Sequence, residues 1–194
     1  PRFAEIPRLD ESELARLLPL ARTNAEEILA TLGYFSPTIA IEQAPAIAPD
    51  PRRVIVNVDP GDPTLVTDVR IHFTGSIAAD EGAQAQRRKI EALWPLRPGT
   101  RFTQAEWDAA KLAALRELTT VRYPVGKLAS SRADIDPETR SARLSVTLDS
   151  GPAFPMGEMV ISGLDRHSNE LVTRLAQLPA GETYDQTRML EAQQ

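Results

Sequence analysis

The sequence predicts an α+β fold laid out as a tandem of small like units, and three observations predict it. Sixteen prolines and ten glycines fall in clusters between short elements, at Gln43 to Pro51, Asp59 to Pro63 and Asp149 to Pro155. Between those clusters, stretches of strand period alternate with stretches of helix period. Third, the chain repeats itself: Val58-Asp59-Pro60-Gly61 returns as Leu148-Asp149-Ser150-Gly151, and a strand ending at Gly75 returns as one ending at Gly163, offsets of about 88 to 90 residues. Pro98-Gly99-Thr100-Arg101-Phe102-Thr103-Gln104 likewise returns as Ala180-Gly181-Glu182-Thr183-Tyr184-Asp185-Gln186. A ubiquitin-like or ferredoxin-like single domain would carry no such period.

The elements of the middle unit follow in order. Val69, Ile71 and Phe73 alternate with Asp68, Arg70 and His72, as a strand with one wet face requires. Asp80 to Leu93 reads as a helix that stops before Pro95. Thr103 and Glu106 have capping-box spacing, and Trp107, Ala110, Ala114, Leu118 and Val121 then recur at helical intervals, widened by Leu115, which assigns Trp107 to the core. Gly126 to Asp134 is a polar strand, Asp136 to Thr139 a turn, and Arg143 to Leu148 a strand with Leu144, Val146 and Leu148 on one face. The predicted order is β-α-α-β-β, a three-stranded mixed sheet covered by two helices.

The flanks read as partial copies. Glu11 to Leu18 and Asn24 to Leu32 are expected as two short helices, the second capped by Asn24 with Glu27, followed by strands at Thr38 to Glu42 and Arg53 to Val58 with Val54, Val56 and Val58 on one face. After the middle unit, Met156 to Ser162 is expected to repeat the first strand, Ser168 to Gln177 the first helix, and Asp185 onward the second. The expected units are therefore 1–62, lacking its first strand; 63–152, complete; and 153–194, cut short. Gly33 and Gly99 are expected at backbone positions that suit glycine, after a helix and before one.

Composition narrows the chemistry. The chain is 42% hydrophobic and 25% charged, enough to build packed cores, and no apolar run approaches the roughly eighteen residues of a membrane helix. A net charge of −5 has the wrong sign for a phosphate-backbone binder, so no nucleic-acid partner is expected. Zero cysteines exclude disulfides, thiolate-bound zinc, iron–sulfur clusters and thiol catalysis. The opening Pro-Arg-Phe-Ala-Glu is no signal peptide, so an export signal is expected to have been removed or to lie upstream.

No catalytic constellation emerges. His72 sits on the wet phase of its strand and His167 stands alone before a helix cap, so neither forms a metal pattern. Asp134-Ile135-Asp136-Pro137-Glu138 lacks the glycine and distal glutamate of a calcium loop. There is no G-x-S-x-G, no Walker lysine and no G-x-G-x-x-G after a strand. The basic run Arg87-Arg88-Lys89 reads as a solvated helix face. No catalytic, cofactor or metal site is expected, and the chain is read as no enzyme. Binding is the better class: Gly126 to Asp134, polar and carrying Lys127 and Arg132, has the composition of an edge strand to which an extended partner can add.

These repeats and motifs together resemble the polypeptide-transport-associated (POTRA) domains of the Omp85 superfamily of outer-membrane proteins. More narrowly, Leu32-Gly33-Tyr34-Phe35-Ser36-Pro37-Thr38-Ile39, Val54 to Val58 leading into Asp59-Pro60-Gly61-Asp62-Pro63, Pro98-Gly99-Thr100 with Phe102, Tyr123-Pro124 in the place of the usual Gly-Tyr, and Asp149-Ser150-Gly151-Pro152-Ala153-Phe154 are similar to the translocation and assembly module subunits of the TamA family. The departures are the missing first strand, the unfinished third unit and the lack of the C-terminal β-barrel of that family.

The resemblance implies the periplasmic arm of an outer-membrane β-barrel protein of a Gram-negative bacterium. It implies as partners a TamB-like, inner-membrane-anchored β-rich protein, unfolded outer-membrane or autotransporter substrates and the arm's own barrel, with contact to lipid also open. Binding by strand addition is expected at Lys127, Leu128, Ala129, Ser130, Ser131 and Arg132, with Thr38, Ile39, Ala40 and Ile41 as the rival edge. Two alternatives stand beside it: the POTRA arm of a BamA-type assembly factor or of a two-partner secretion transporter, and, from another class, a small α+β ligand-binding domain.

Overall fold

The computed structural model describes residues 11–44, 53–163, 169–176 and 178–193. His167 and most of the Gln43 to Pro51 proline cluster lie outside them. Helix α1 spans Glu11–Thr31, and strands β1 (Thr38–Ala44) and β2 (Arg53–Asp59) form an antiparallel two-stranded sheet. Then come β3 (Leu65–Thr74), a short α2 (Ser76–Ala79), α3 (Gln84–Leu93), α4 (Gln104–Thr120), β4 (Lys127–Asp136) and β5 (Ser141–Asp149). Helices α5 (Asn169–Ala176) and α6 (Gln186–Glu191) close the described chain.

The middle of the molecule has the predicted α+β order and the predicted mixed sheet. Its strand order is β3-β5-β4, with β5 parallel to β3 and antiparallel to β4. Alternation explains the sheet's single dry face: Ala142, Leu144, Val146 and Leu148 of β5 are buried, while Val69, Ile71 and Phe73 of β3 pack against the same core. From the helices come Ile77, Ile90, Ala110, Ala114 and Leu118, together with Trp107, whose ring meets Trp94 edge-on at 5.9 Å. Helix α4 begins where its sequence says, because the Thr103 hydroxyl accepts the Glu106 amide at 3.1 Å. The turn before β5 forms on Asp136, whose carboxylate accepts the Glu138 and Thr139 amides.

Four expectations are corrected. The two predicted N-terminal helices are one, running through Pro19, so Asn24 is no cap. Proline removes one ladder donor, and the strong helix formers on both sides carry the helix past that single loss, helped by an Arg22–Glu26 pair at 3.1 Å. The helix predicted over Asp80 to Leu93 starts at Gln84, because the Asp80 carboxylate accepts the Gly82 amide and closes a 3₁₀ turn over Glu81–Ala83 instead. Arg87 leaves the solvated face: its guanidinium turns inward to donate to the carbonyls of Ile77 and Asp80. Met156 to Ser162 forms no strand. A strand there needs a neighbour such as β5 gives β3, and among the described residues only Met156 of this segment is paired, to Glu182 and Gly181, next to the bridge of Pro155 to Thr183.

Candidate interaction site

Both candidate edges are open on one side. Strand β4 pairs only with β5, and β1 only with β2, among the described residues. On β4, Lys127 and Ala129 to Arg132 are exposed, whereas Leu128 is half-buried and packs toward the core. A register shift between Leu128 and Ser130 makes Ala129 a bulge. Lys127 sits 3.7 Å from Asp149, and Arg132 pairs with Asp134 at 2.6 Å, so the edge carries charges of both signs. On β1, Thr38 and Ala40 face outward, Ile39 is buried and Ile41 half-buried. The two edges belong to different sheets and make no common site. In the loops next to them the Ser36 hydroxyl donates to the Pro137 carbonyl at 3.3 Å and Arg140 pairs with Asp62.

The sequence repeat becomes a repeated joint. At the first joint the Thr64 amide donates to the Gly33 carbonyl, Phe102 to Thr64, Val66 to Thr100 and Gly99 to Val66, at 2.8 to 2.9 Å. At the second joint the Phe154 amide donates to the Arg122 carbonyl, Tyr184 to Phe154, Met156 to Glu182 and Gly181 to Met156, at 2.6 to 3.1 Å. An antiparallel bridge sits inside each set, Leu65 with Arg101 and Pro155 with Thr183. Even the approach is shared, since the amides of Gly61 and Gly151 each bond the carboxylate of the aspartate two residues before, Asp59 and Asp149, at 3.0 Å.

Where the two joints differ is the left-handed residue that follows the helix. Helix α1 closes in a Schellman motif: Gly33 donates to Ala30, Tyr34 donates to Leu29, and Gly33 has φ +88°. A Cβ on Gly33 would lie 2.0 Å from the Phe102 carbonyl oxygen, so only glycine lets the helix end come this close. The Arg101 guanidinium donates to the Leu32 carbonyl and lies over the Tyr34 ring at 4.6 Å.

The corresponding residue at the second joint is Arg122, also left-handed at φ +67°. Its side chain reaches back 2.5 Å to Asp80, which also accepts the Tyr123 hydroxyl at 3.0 Å. The bond from Arg122, then that from Tyr123, hold the Asp80 carboxyl below the usual carboxylate range. Burial, then the bond to Asp80, pushes the Tyr123 hydroxyl up to about 12. Tyr34 and Tyr123 therefore match, which puts Arg122-Tyr123, and not Tyr123-Pro124, in the place of Gly33-Tyr34. The shared tyrosine was the available signal; an arginine where glycine is expected hid it.

Among the described residues no three histidines or carboxylates gather to hold a metal, and no helix is long and apolar enough to cross a membrane. No family model matches the chain. Among solved structures it is similar to the crystal structure of Haemophilus influenzae BamA POTRA3-5, with TM-score 0.48 and 14% identity, over 89% of this chain and 66% of that one. It is also similar to the crystal structure of BamA from Haemophilus ducreyi lacking POTRA domains 1-3, with TM-score 0.35 and 14% identity, over 78% of this chain and 25% of that one. The chain thus spans less than two thirds of the length of either.

Proposed function

We propose that the chain is a row of POTRA units, at 1–62, 63–152 and 153–194, serving as the periplasmic interaction arm of an outer-membrane β-barrel assembly or translocation protein. It binds other chains and carries out no catalysis. The observation that carries this reading is the repeated joint: one backbone hydrogen-bond pattern closing two successive boundaries is what a tandem arm requires. Its partner and clients are a TamB-like periplasm-spanning protein and unfolded outer-membrane or autotransporter chains, engaged through the free edge of β4, with β1 as the rival. Backbone bonds on a bare edge give affinity without any dedicated pocket, and the mixed charges of Lys127, Arg132 and Asp134 keep that edge from pairing indiscriminately.

Successive amides of a strand point to opposite edges, so Ser130→Pro and Ser131→Pro remove one outward and one inward donor. In a pull-down against the C-terminal part of the periplasm-spanning partner, the outward proline is expected to abolish capture while its fold, read by circular dichroism, is kept. Full capture by both folded variants, with loss on Ala40→Pro, would move the site to β1. No capture of the partner by the unaltered chain would sink the partner assignment.

A further inference from the structure

The outer edge of β3 is only half occupied. Gly99 to Phe102 runs antiparallel beside Thr64 to Val66, on the side away from β5, with Val66 and Gly99 donating to Thr100 and Val66 respectively at 2.8 Å. That pairing stops at Gly99, because the preceding Pro98 has no amide to give and the chain turns off toward α3. Beyond the register shift between Val66 and Asp68, β3 has no further strand on this side among the described residues. In the vacated position lies a cavity of about 430 Å³, walled by Val69 to His72 of the strand and by Glu91, Trp94 and Leu96 to Pro98.

The lining says what would fit. Val69, Ile71, Trp94 and Leu96 supply an apolar floor, while Arg70 and Arg97 face the single carboxylate of Glu91. Arg70 is answered by Asp68 within its own strand at 2.8 Å, but the Arg97 guanidinium donates to the Ala92 carbonyl and meets no carboxylate among the described residues. Trp94 is 4% exposed, and its buried indole N–H has no hydrogen-bond partner among the described residues.

We propose that this half-edge is a second docking site for chains, which takes an extended peptide segment of alternating apolar and acidic residues as the continuation of the Gly99 to Phe102 strand. The inference rests on the proposed strand-addition reading and adds to it an edge and a sequence preference. Backbone bonds to β3 hold the segment, its apolar side chain fills the cavity, and its carboxylates face Arg70 and Arg97.

The test is a titration of the isotope-labelled full chain with a fluorescein-labelled dodecapeptide of alternating valine or phenylalanine and glutamate, beside a control with lysine for glutamate. Expected are amide shifts confined to Val69 to His72 and Glu91 to Pro98, with the acidic peptide preferred. Charge reversal by Arg70→Glu with Arg97→Glu, both on exposed side chains, is expected to weaken it by on the order of tenfold and to favour the lysine peptide. Shifts confined to Lys127 to Arg132 would overturn the site while leaving strand addition intact. Equal binding of both peptides would overturn the preference, and no shift at β3 with either would overturn the inference outright, whatever the partner pull-down gives. If the double variant does not fold, the shift map of the unaltered chain decides alone.

Discussion

The two joints share a backbone frame and close it by different means, one by contact and one by charge. At the first, Gly33 lets the end of α1 touch the Phe102 carbonyl, and the Arg101 guanidinium satisfies the last carbonyl of the helix. At the second, Arg122 takes the left-handed position at a steric cost, and its side chain ties that position to Asp80 and the 3₁₀ turn. Contact is insensitive to salt and pH, whereas a half-exposed ion pair is sensitive to both. The difference teaches that one repeat geometry can be closed in two ways, by a steric contact that only glycine permits and by an ion pair that salt and pH can weaken.

Helix α4 connects the joints, with its cap directly after Phe102 and its last residue, Thr120, two before Arg122, so the largest expected effect should strike both alike. Trp107→Ala opens a cavity against Trp94 in the core that carries α4 and is expected to cost about 3–5 kcal/mol of unfolding free energy. Exchange at the Thr64, Phe102, Phe154 and Tyr184 amides should rise together; a rise at one joint only would show that α4 does not couple them. Normal melting with loss of a partner would make Trp107 a docking residue.

Gly33→Val separates the joints. A β-branched residue in a left-handed position, with its Cβ against a backbone carbonyl, is expected to cost about 2–4 kcal/mol, read as earlier urea unfolding and faster exchange of Thr64 and Phe102 alone. Unchanged melting would reject the contact account of the first joint. Smaller still is the gap between two changes at Arg122. Both Arg122→Gly and Arg122→Ala remove the ion pair to Asp80, but only glycine relieves the left-handed backbone, so the glycine variant should be the more stable by about 1 kcal/mol. Equal melting of the two would mean that the Arg122 backbone is not under strain.

The complete unit was legible in the sequence because its signals are local and agree with one another. Leu144, Val146 and Leu148 alternate, Thr103 and Glu106 cap α4, and Asp136 makes its turn, each where the residue types demand. What misled were residues whose local rule yields to a partner far away in the chain. Pro19 reads as a stop but lies inside α1; Asp80 reads as a helix start but holds a 3₁₀ turn and Arg122; Met156 to Ser162 alternates like a strand but has no β5 beside it. Of the proposed sites, the open edge of β4 was foreseeable from its polarity. The β3 cavity was not, since it exists only because Pro98 ends a strand pairing that no local pattern announces.

The sharpest separation of the joints is by acid. Asp80 has a folded-state pKa below its ordinary value of 3.8, held there first by the bond from Arg122 and then by that from Tyr123. A depressed carboxyl adds stability that is fully present above its unfolded value and is lost as pH falls through the lower folded one. Arg122 should therefore keep its hold at pH 5 and lose it progressively below 3.8, while the first joint has no titrating group among its contacts at Gly33, Thr64 and Phe102. Tyr123 bounds the other side: raised to about 12 by burial and by Asp80, it stabilises below its usual 10.0 and ceases to as pH climbs through 12. The ratio of protection at Phe154 and Tyr184 to that at Thr64 and Phe102, measured by hydrogen exchange from pH 5 to pH 2.5, should fall as Asp80 protonates. Asp80→Asn at pH 7 should lower the same ratio without acid, because an amide keeps the shape but not the charge. If the ratio holds through pH 2.5 and in that variant alike, then backbone bonds alone close the second joint as they do the first, and the contrast between contact and charge collapses.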